Sequence, residues 1–267
     1  MITFFSSLYR SDRYLSTYSK HVQSFTAELL KNNVEFEFIV IANDATPKEQ
    51  ELKEVFSACD WFRYIEVPRE SLYATWNRAV SESKGDIIGF WHVDDVRYPN
   101  AIVHALECFR RGAELVYFPF TVKWYINFFN FSFLVKWKNI RQTDPALFKD
   151  SMCFGPFFLF TRELYNRVGF FDEQLTIVAD FDWAIRANNA TKKIDFCDEP
   201  AGVFRVDGNG LSSGGKQKHV AQNNIVYLRN NILYKIEEVD KVLMDEYTVD
   251  SIQYKDQLIH LELPMSN

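Results

Sequence analysis

Through the first hundred residues, short apolar runs alternate with longer segments whose apolar positions recur every three or four residues. Residues 2–6, 36–42, 63–67 and 86–91 read as strands. Residues 13–30, a segment from Thr46 towards Cys59, and residues 72–83 read as helices. Thr46-Pro47-Lys48-Glu49 supplies a cap, a first-position proline and the reciprocal glutamate of a capping box. The run 86–91 is almost wholly apolar, as a strand covered on both faces would be. This β-α-β-α rhythm predicts a largely parallel sheet with helices on both faces. Ligands then bind at the carboxyl ends of the strands, here 6–10, 43–44, 68–70 and 92–95. Three of these four strand ends carry carboxylates.

After Tyr98 the rhythm changes. A helix is expected over 99–111, opened by Pro99, and a strand over 114–118. Residues 119–154 are dense in aromatic and basic side chains. A strand over 158–160, a short helix from Thr161, a helix over 180–188 and strands over 194–197 and 201–206 follow. From Lys218 onward the chain reads as mainly helical with a polar tail. No repeat, low-complexity segment or linker divides it.

The chain has 267 residues, enough for one large domain with a substantial core. A net charge of −6 argues against a nucleic-acid partner, because neutralising phosphates needs a basic surface. Cys59, Cys108, Cys153 and Cys197 show no paired metal-ligand spacing and read as small buried hydrophobes in a reducing compartment. The amino terminus lacks a basic leader and a long apolar region, and no run reaches the ~20 apolar residues that span a bilayer. The expected location is cytoplasmic. The 25 phenylalanines predict a thick aromatic core or an exposed apolar face.

The chemistry concentrates where the strand 86–91 runs into Asp94-Asp95. Adjacent carboxylates repel, and a divalent cation carrying a polyphosphate is one way to relieve them; a solvated turn before Pro99 is the other reading. There is no glycine fingerprint for a dinucleotide and no Gly-Lys-Ser/Thr phosphate loop. A bound nucleotide would need a metal to carry most of the phosphate charge.

Several motifs, taken in order, resemble the family 2 glycosyltransferases of GT-A fold over roughly residues 1–215. They are Ser6-Ser7-Leu8-Tyr9-Arg10, Asn43-Asp44-Ala45-Thr46, Leu72-Tyr73-Ala74-Thr75-Trp76-Asn77-Arg78, Lys84-Gly85-Asp86, Val168-Gly169-Phe170-Phe171-Asp172-Glu173 and Ala179-Asp180-Phe181-Asp182-Trp183. The resemblance implies a single Rossmann-like α/β domain: a nucleotide-binding half (1–98), an acceptor half (99–215), an aromatic-rich insertion and a C-terminal helical extension (216–267). It also implies an inverting, metal-dependent transferase that moves a sugar from a UDP-, GDP- or dTDP-linked donor to a saccharide or lipid-linked acceptor. Assembly of a surface polysaccharide or glycoconjugate is the implied setting. A sugar nucleotidyltransferase and a degenerate nucleotide- or carbohydrate-binding module are the alternatives.

Carried over by position, the family gives Asp180 the role of general base and Asp44 that of nucleobase acceptor. It sets Ser7, Tyr9, Asn77, Arg78 and Asp94 against the nucleotide sugar, and Asp94 against Mn²⁺ or Mg²⁺. Read as residues alone, Asp44 and Asp180 are also helix caps, Arg78 a helix-face charge, and Trp76 and Trp183 core side chains. Asp182 and Trp183 are candidates for the acceptor side, or for helix packing. The sequence departs from the family at His92, where an aspartate is usual, and at Asp207, where a histidine is. His92, Asp94 and Asp207 then form a candidate metal set. If His92 ligates, metal affinity falls between pH 7 and 6, near the ordinary imidazole pKa of about 6.5. Lys123 and Lys136 bracket an apolar run of 12 residues. The segment 123–141 reads as a peripheral membrane contact, a platform for acceptor sugars, or a helical hairpin packed on the sheet or at an oligomer interface.

Overall fold

The computed structural model describes residues 1–128, 131–141, 152–210, 216–230, 251–254 and 257–260. Seven strands form the central sheet in the order β10-β6-β9-β4-β1-β2-β3. They are β1 (Ile2–Leu8), β2 (Phe36–Asn43), β3 (Phe62–Val67), β4 (Ile87–Phe90), β6 (Leu115–Tyr117), β9 (Leu159–Thr161) and β10 (Ile194–Phe196). The first four run parallel, as the sequence rhythm predicts. β9 enters antiparallel between β4 and β6, and β10 runs parallel to β6.

Side-chain alternation along the strands splits the core in two. Ile2, Phe4 and Leu8 of β1, with Phe38 and Val40 of β2, belong to the cluster that includes residues of α1 (Leu15–Lys31), α2 (Pro47–Val55) and α4 (Pro99–Arg110). Phe5, Ile39 and Ile41 belong to the opposite cluster, with α3 (Leu72–Glu82), α5 (Arg162–Val168) and α6 (Ala179–Ala190). The period of two in the strands produces this two-sided burial. The capping box forms as expected: Thr46 Oγ1 accepts from Glu49 N at 3.1 Å, and Glu49 Oε2 accepts from Thr46 N at 2.9 Å. Glu49 is fully buried and also accepts from Ser11 N at 2.7 Å, which ties the loop after β1 to α2.

One expectation needs correction. The described part of the aromatic insertion is not a helical hairpin. It is an antiparallel β-ribbon of β7 (Phe120–Phe128) and β8 (Phe131–Ile140). The ribbon joins β5 (Val96–Arg97) and β11 (Gly202–Val206) in a second sheet, β5-β11-β7-β8. The first helix of the C-terminal extension packs into the same core. In α7 (Lys216–Arg229), Gln222, Ile225, Val226 and Tyr227 are buried. Gln222 accepts from Ile177 N at 3.0 Å, and Arg229 pairs with Asp172 at 2.6 Å. Beyond Asn230 the expected helical tail lies outside the described residues, except for the strands β12 (Ser251–Tyr254) and β13 (Gln257–His260).

Candidate active site

The carboxyl ends of β1, β2 and β3 are joined by Asn43, which is buried at 2% exposure. Its Nδ2 donates to the Leu8 carbonyl at 3.3 Å and lies 3.4 Å from Ser7 Oγ, and its Oδ1 accepts from Glu70 N at 3.0 Å and Thr75 Oγ1 at 3.2 Å. On this anchor the next residue, Asp44, is exposed and held at φ 44°. A side chain in the left-handed region costs energy and persists where the surroundings enforce it. Thr46, not Asp44, caps α2. The Asp44 carboxylate makes no hydrogen bond or ion pair with the described residues. Close by, the Arg69 guanidinium lies 4.6 Å from the centre of the Tyr9 ring. Arg78 is engaged by a forked ion pair with Glu70, with Nε 3.0 Å from each carboxylate oxygen.

The exit of β4 is more crowded. The His92 ring sits 5.5 Å from both Trp76 and Phe90, and burial, helped by the nearby Arg97 charge, lowers its pKa to about 4. Asp95 is buried and accepts from Arg205 N at 2.9 Å, while its Oδ2 finds no partner among the described residues. Burial and then the Asp94 charge push the Asp95 pKa well up. Asp94 is half-buried and its pKa is raised, first by burial and further by Asp207. β11 closes over this turn because Gly202 has no side chain: a Cβ there would stand 1.9 Å from the Val96 carbonyl oxygen.

Asp207 follows β11. It accepts from Tyr14 Oη at 2.8 Å, Arg205 Nε at 3.1 Å, and Asn209 N and Nδ2 at 3.1 and 3.2 Å. Burial works against ionisation, but these donors, Tyr14 foremost, bring its pKa down to about 2. The Arg205 guanidinium in turn stacks 4.0 Å from the centre of the Tyr125 ring.

Asp180 lies in the first turn of α6, where the helix dipole favours an anion. Its Oδ1 is 2.9 Å from Tyr73 Oη and accepts from Phe181 N at 2.9 Å. Burial raises its pKa despite these donors. Its second oxygen has no hydrogen bond with the described residues. A contact chain links this carboxylate to the β4 exit. Tyr73 packs on Trp76 at 5.2 Å, and Trp76 packs on His92.

Other expected site residues are committed elsewhere. Asn77 uses all four hydrogen-bonding positions internally. Oδ1 accepts from Tyr165 Oη and Phe171 N, both at 2.9 Å. Nδ2 donates to the Phe171 carbonyl at 2.9 Å and Glu173 at 2.8 Å. It braces α3 against the loop before α6 rather than facing a nucleotide. Asp182 is 1% exposed, paired with Arg186 at 2.9 Å and 3.7 Å from Arg229. Trp183 is fully buried, with Nε1 donating to the Gly169 carbonyl at 2.8 Å. Neither can meet an acceptor. Asn43, Tyr73 and Arg205 carry no local signal, because partners distant in sequence give them their place: Glu70 and Thr75 for Asn43, Asp180 for Tyr73, and Asp95 and Tyr125 for Arg205.

The residues fit a divalent cation only in one mode. Among the described residues no three histidine, cysteine, aspartate or glutamate side chains converge to hold an ion. The expected set His92, Asp94 and Asp207 does not form. His92 is packed against aromatic rings, and the Asp207 oxygens are taken up by three residues. Asp94 makes no ion pair with the described residues and is electrostatically strained by Asp207 and by burial. One carboxylate plus the phosphates of a substrate is a usual way to bind Mg²⁺, and Asp94 fits that.

Residues 19–169, more than half of the chain, match the family model described as glycosyl transferase family 2. Comparison with curated proteins gives no match. Among solved structures, S. aureus TarS 1–349 in complex with UDP-GlcNAc superposes with a TM-score of 0.61 at 12% identity, over 92% of this chain and 72% of that one. The longer S. aureus TarS chain gives 0.59 at 13%, and this chain spans only 44% of its length. The mannosyltransferase PcManGT from Pyrobaculum calidifontis, in complex with GDP-Man and Mn²⁺, gives 0.57 at 14%, over 92% and 70%. At such identities the superpositions speak for the fold, and the family match speaks for descent. With its strand ends and the motifs along them, the chain is a GT-A protein that belongs to glycosyl transferase family 2.

Proposed function

We propose that the protein transfers a sugar from a nucleotide-diphosphate donor to an acceptor hydroxyl with inversion, using Asp180 as general base. The observation that carries this reading is the state of Asp180. Oδ1 accepts from Phe181 N and lies beside the Tyr73 hydroxyl, which the Ile177 carbonyl shares at 2.7 Å; Oδ2 has no hydrogen bond with the described residues, and burial raises the pKa. A fixed carboxylate with a free, more basic oxygen suits proton abstraction. The free oxygen takes the proton of the acceptor hydroxyl as that oxygen bonds to the anomeric carbon. The bond from that carbon to the diphosphate breaks, and its electron pair leaves with the nucleotide. A single displacement from the opposite face inverts the centre.

On the donor side, Asp44 accepts from the imide or amide edge of the base, and Tyr9 with Arg69 offers a flat surface beside it. Asp94 would hold Mn²⁺ or Mg²⁺, which supplies charge neutralisation for the departing diphosphate. Bound UDP-GlcNAc and GDP-Man in the structural neighbours support a UDP- or GDP-linked donor; dTDP-linked donors belong in the same panel. A saccharide or lipid-linked hydroxyl would serve as acceptor.

Calorimetry against UDP-, GDP- and dTDP-sugars with Mn²⁺, followed by nucleotide release with and without saccharide acceptors, tests the reading. Binding and release together are expected. Tight binding with no release under any acceptor would make the chain a nucleotide-sugar binding module instead.

A further inference from the structure

The β7–β8 ribbon carries exposed apolar side chains. Ile126, Phe128, Phe131 and Phe133 are 57–68% exposed. The pairs Phe128–Phe131 and Ile126–Phe133 stand opposite each other two positions apart, which puts all four on one face at the ribbon's end. Nearer the root come Trp124 and the 60% exposed Trp137, and beside them Lys123, Lys136 and Lys138. Lys136 Nζ lies 5.2 Å from the centre of the Trp124 ring. Farther back on the apolar face, Val122 and Phe120 enter the core.

The ribbon therefore runs from an apolar end to a band where tryptophan and lysine share levels, Trp124 opposite Lys136 and Trp137 opposite Lys123, with Lys138 one step beyond. Aromatic rings and lysines together mark the interfacial layer of a bilayer, with anionic headgroups beside the lysines and acyl chains beyond the apolar end. At ~3.3 Å per residue the apolar pairs occupy roughly the outer 7–10 Å, the depth of an interfacial insertion. Charge agrees with this. In a protein of net charge −6, residues 115–143 carry Lys123, Lys136, Lys138 and Arg141 and no acid. Arg141 is paired with Asp198, whereas the three lysines make no ion pair with the described residues.

We propose that this ribbon docks the protein on an anionic lipid bilayer, with the Ile126–Phe133 and Phe128–Phe131 pairs in the headgroup–acyl boundary. The same ribbon forms a wall of the candidate site. Asn127 Nδ2 donates to the Asp207 carbonyl at 2.8 Å, and Tyr125 stacks on Arg205. Docking thus brings the site to the membrane surface, where a lipid-linked acceptor would be presented; that consequence rests on the transfer reading, the docking does not. A second copy pairing along the open edge of β8 would set the lysines of one strand near those of the other, and like charges across a strand pair are unfavourable.

Co-sedimentation with phosphatidylcholine vesicles, with and without about a third of phosphatidylglycerol, tests the proposal. The protein should pellet with the anionic vesicles and much less with the neutral ones. The double variant Phe128→Ser/Phe131→Ser should bind at least about tenfold more weakly, since it removes two inserted rings. Lys136→Gln/Lys138→Gln should lose about tenfold at low salt, and raised salt should weaken the wild type in the same way. All four side chains are exposed, and if one variant misfolds by circular dichroism the other decides. Equal binding to neutral and anionic vesicles, or unchanged binding in the folded variants, would overturn the proposal. So would light scattering that finds a wild-type dimer converted to monomer by the phenylalanine changes. Nucleotide affinity measured on the same samples keeps the two readings apart, because its absence would sink the transfer reading and leave the vesicle result standing.

Discussion

The start of α6 and the turn after β11 each present a largely buried aspartate beside a tyrosine hydroxyl, and their chemistry diverges. Asp180 Oδ1 accepts from Phe181 N and shares the Tyr73 hydroxyl with the Ile177 carbonyl, and the carboxylate keeps a raised pKa. Asp207 receives Tyr14, Arg205 and Asn209, and its pKa falls to about 2. The first is a carboxylate with capacity left for a substrate. The second has been spent on holding β11, Tyr14 and the ribbon together. Both lie at the rim of the sheet, and the number of donors already engaged is what sets them apart.

The largest effect that would break this contrast is at Asp180. Asp180→Asn should lower turnover by about 10²-fold or more, as loss of a general base does. Because burial raises the folded pKa of Asp180, its charge costs stability as the pH rises through that value. The asparagine variant should therefore melt no lower than the wild type at pH 7, which differential scanning calorimetry can check.

Asp44→Ala extends the contrast to the donor side. Its carboxylate is unpartnered among the described residues, so its removal should cost ligand and, because alanine tolerates φ 44° less well than aspartate, about 1 kcal/mol of fold at most. A hydrogen bond to a charged group is worth ~1.5–3 kcal/mol, and nucleotide affinity should fall about tenfold or more by calorimetry. Unchanged affinity would remove Asp44 from the site.

Tyr73→Phe sharpens the picture at Asp180. The lost hydroxyl favours the ionised carboxylate, so the Asp180 pKa should rise further. Activity depends on the ionised base and falls as the pH drops through that pKa. The acid limb of the pH–rate profile should therefore move to higher pH in Tyr73→Phe, with a loss of a few-fold at its foot. An unshifted limb would show that another group sets it.

The smallest effect on activity is expected at Asp207→Asn, where the loss is in stability. With a folded pKa of about 2 against about 4 unfolded, the wild-type carboxylate stabilises the fold above pH ~4. That contribution fades as the pH falls towards 2. Allowing for solvent screening, it is worth roughly 1–2 kcal/mol at pH 7. Urea unfolding at pH 7 should record that loss while turnover stays within a few-fold.

Much of this was legible in the chain. The capping box at Thr46 and Glu49, the parallel strands and the carboxylates at their ends follow from local patterns. So does Asp180 at a helix start. What local patterns could not give are roles set by distant partners. Asn77 is committed by Tyr165, Phe171 and Glu173, and Asp182 by Arg186 and Arg229. Trp183 is committed by the Gly169 carbonyl. The ribbon 120–140 was illegible for another reason. β8 is exposed on nearly all its length and so has no buried face to impose a period of two. His92 illustrates the limit of a motif: its position suggests a ligand, but Trp76 and Phe90 hold it as a neutral ring. No loss of metal affinity between pH 7 and 6 is then expected.

The most direct test is turnover of one nucleotide sugar at saturating donor by Asp180→Asn and Asp207→Asn, side by side, with nucleotide affinity measured on the same preparations. Both variants should bind nucleotide much as the wild type does, and Asp180→Asn should turn over at least about thirtyfold more slowly than Asp207→Asn. Equal losses, or the reverse order, would contradict the assignment of the base to Asp180.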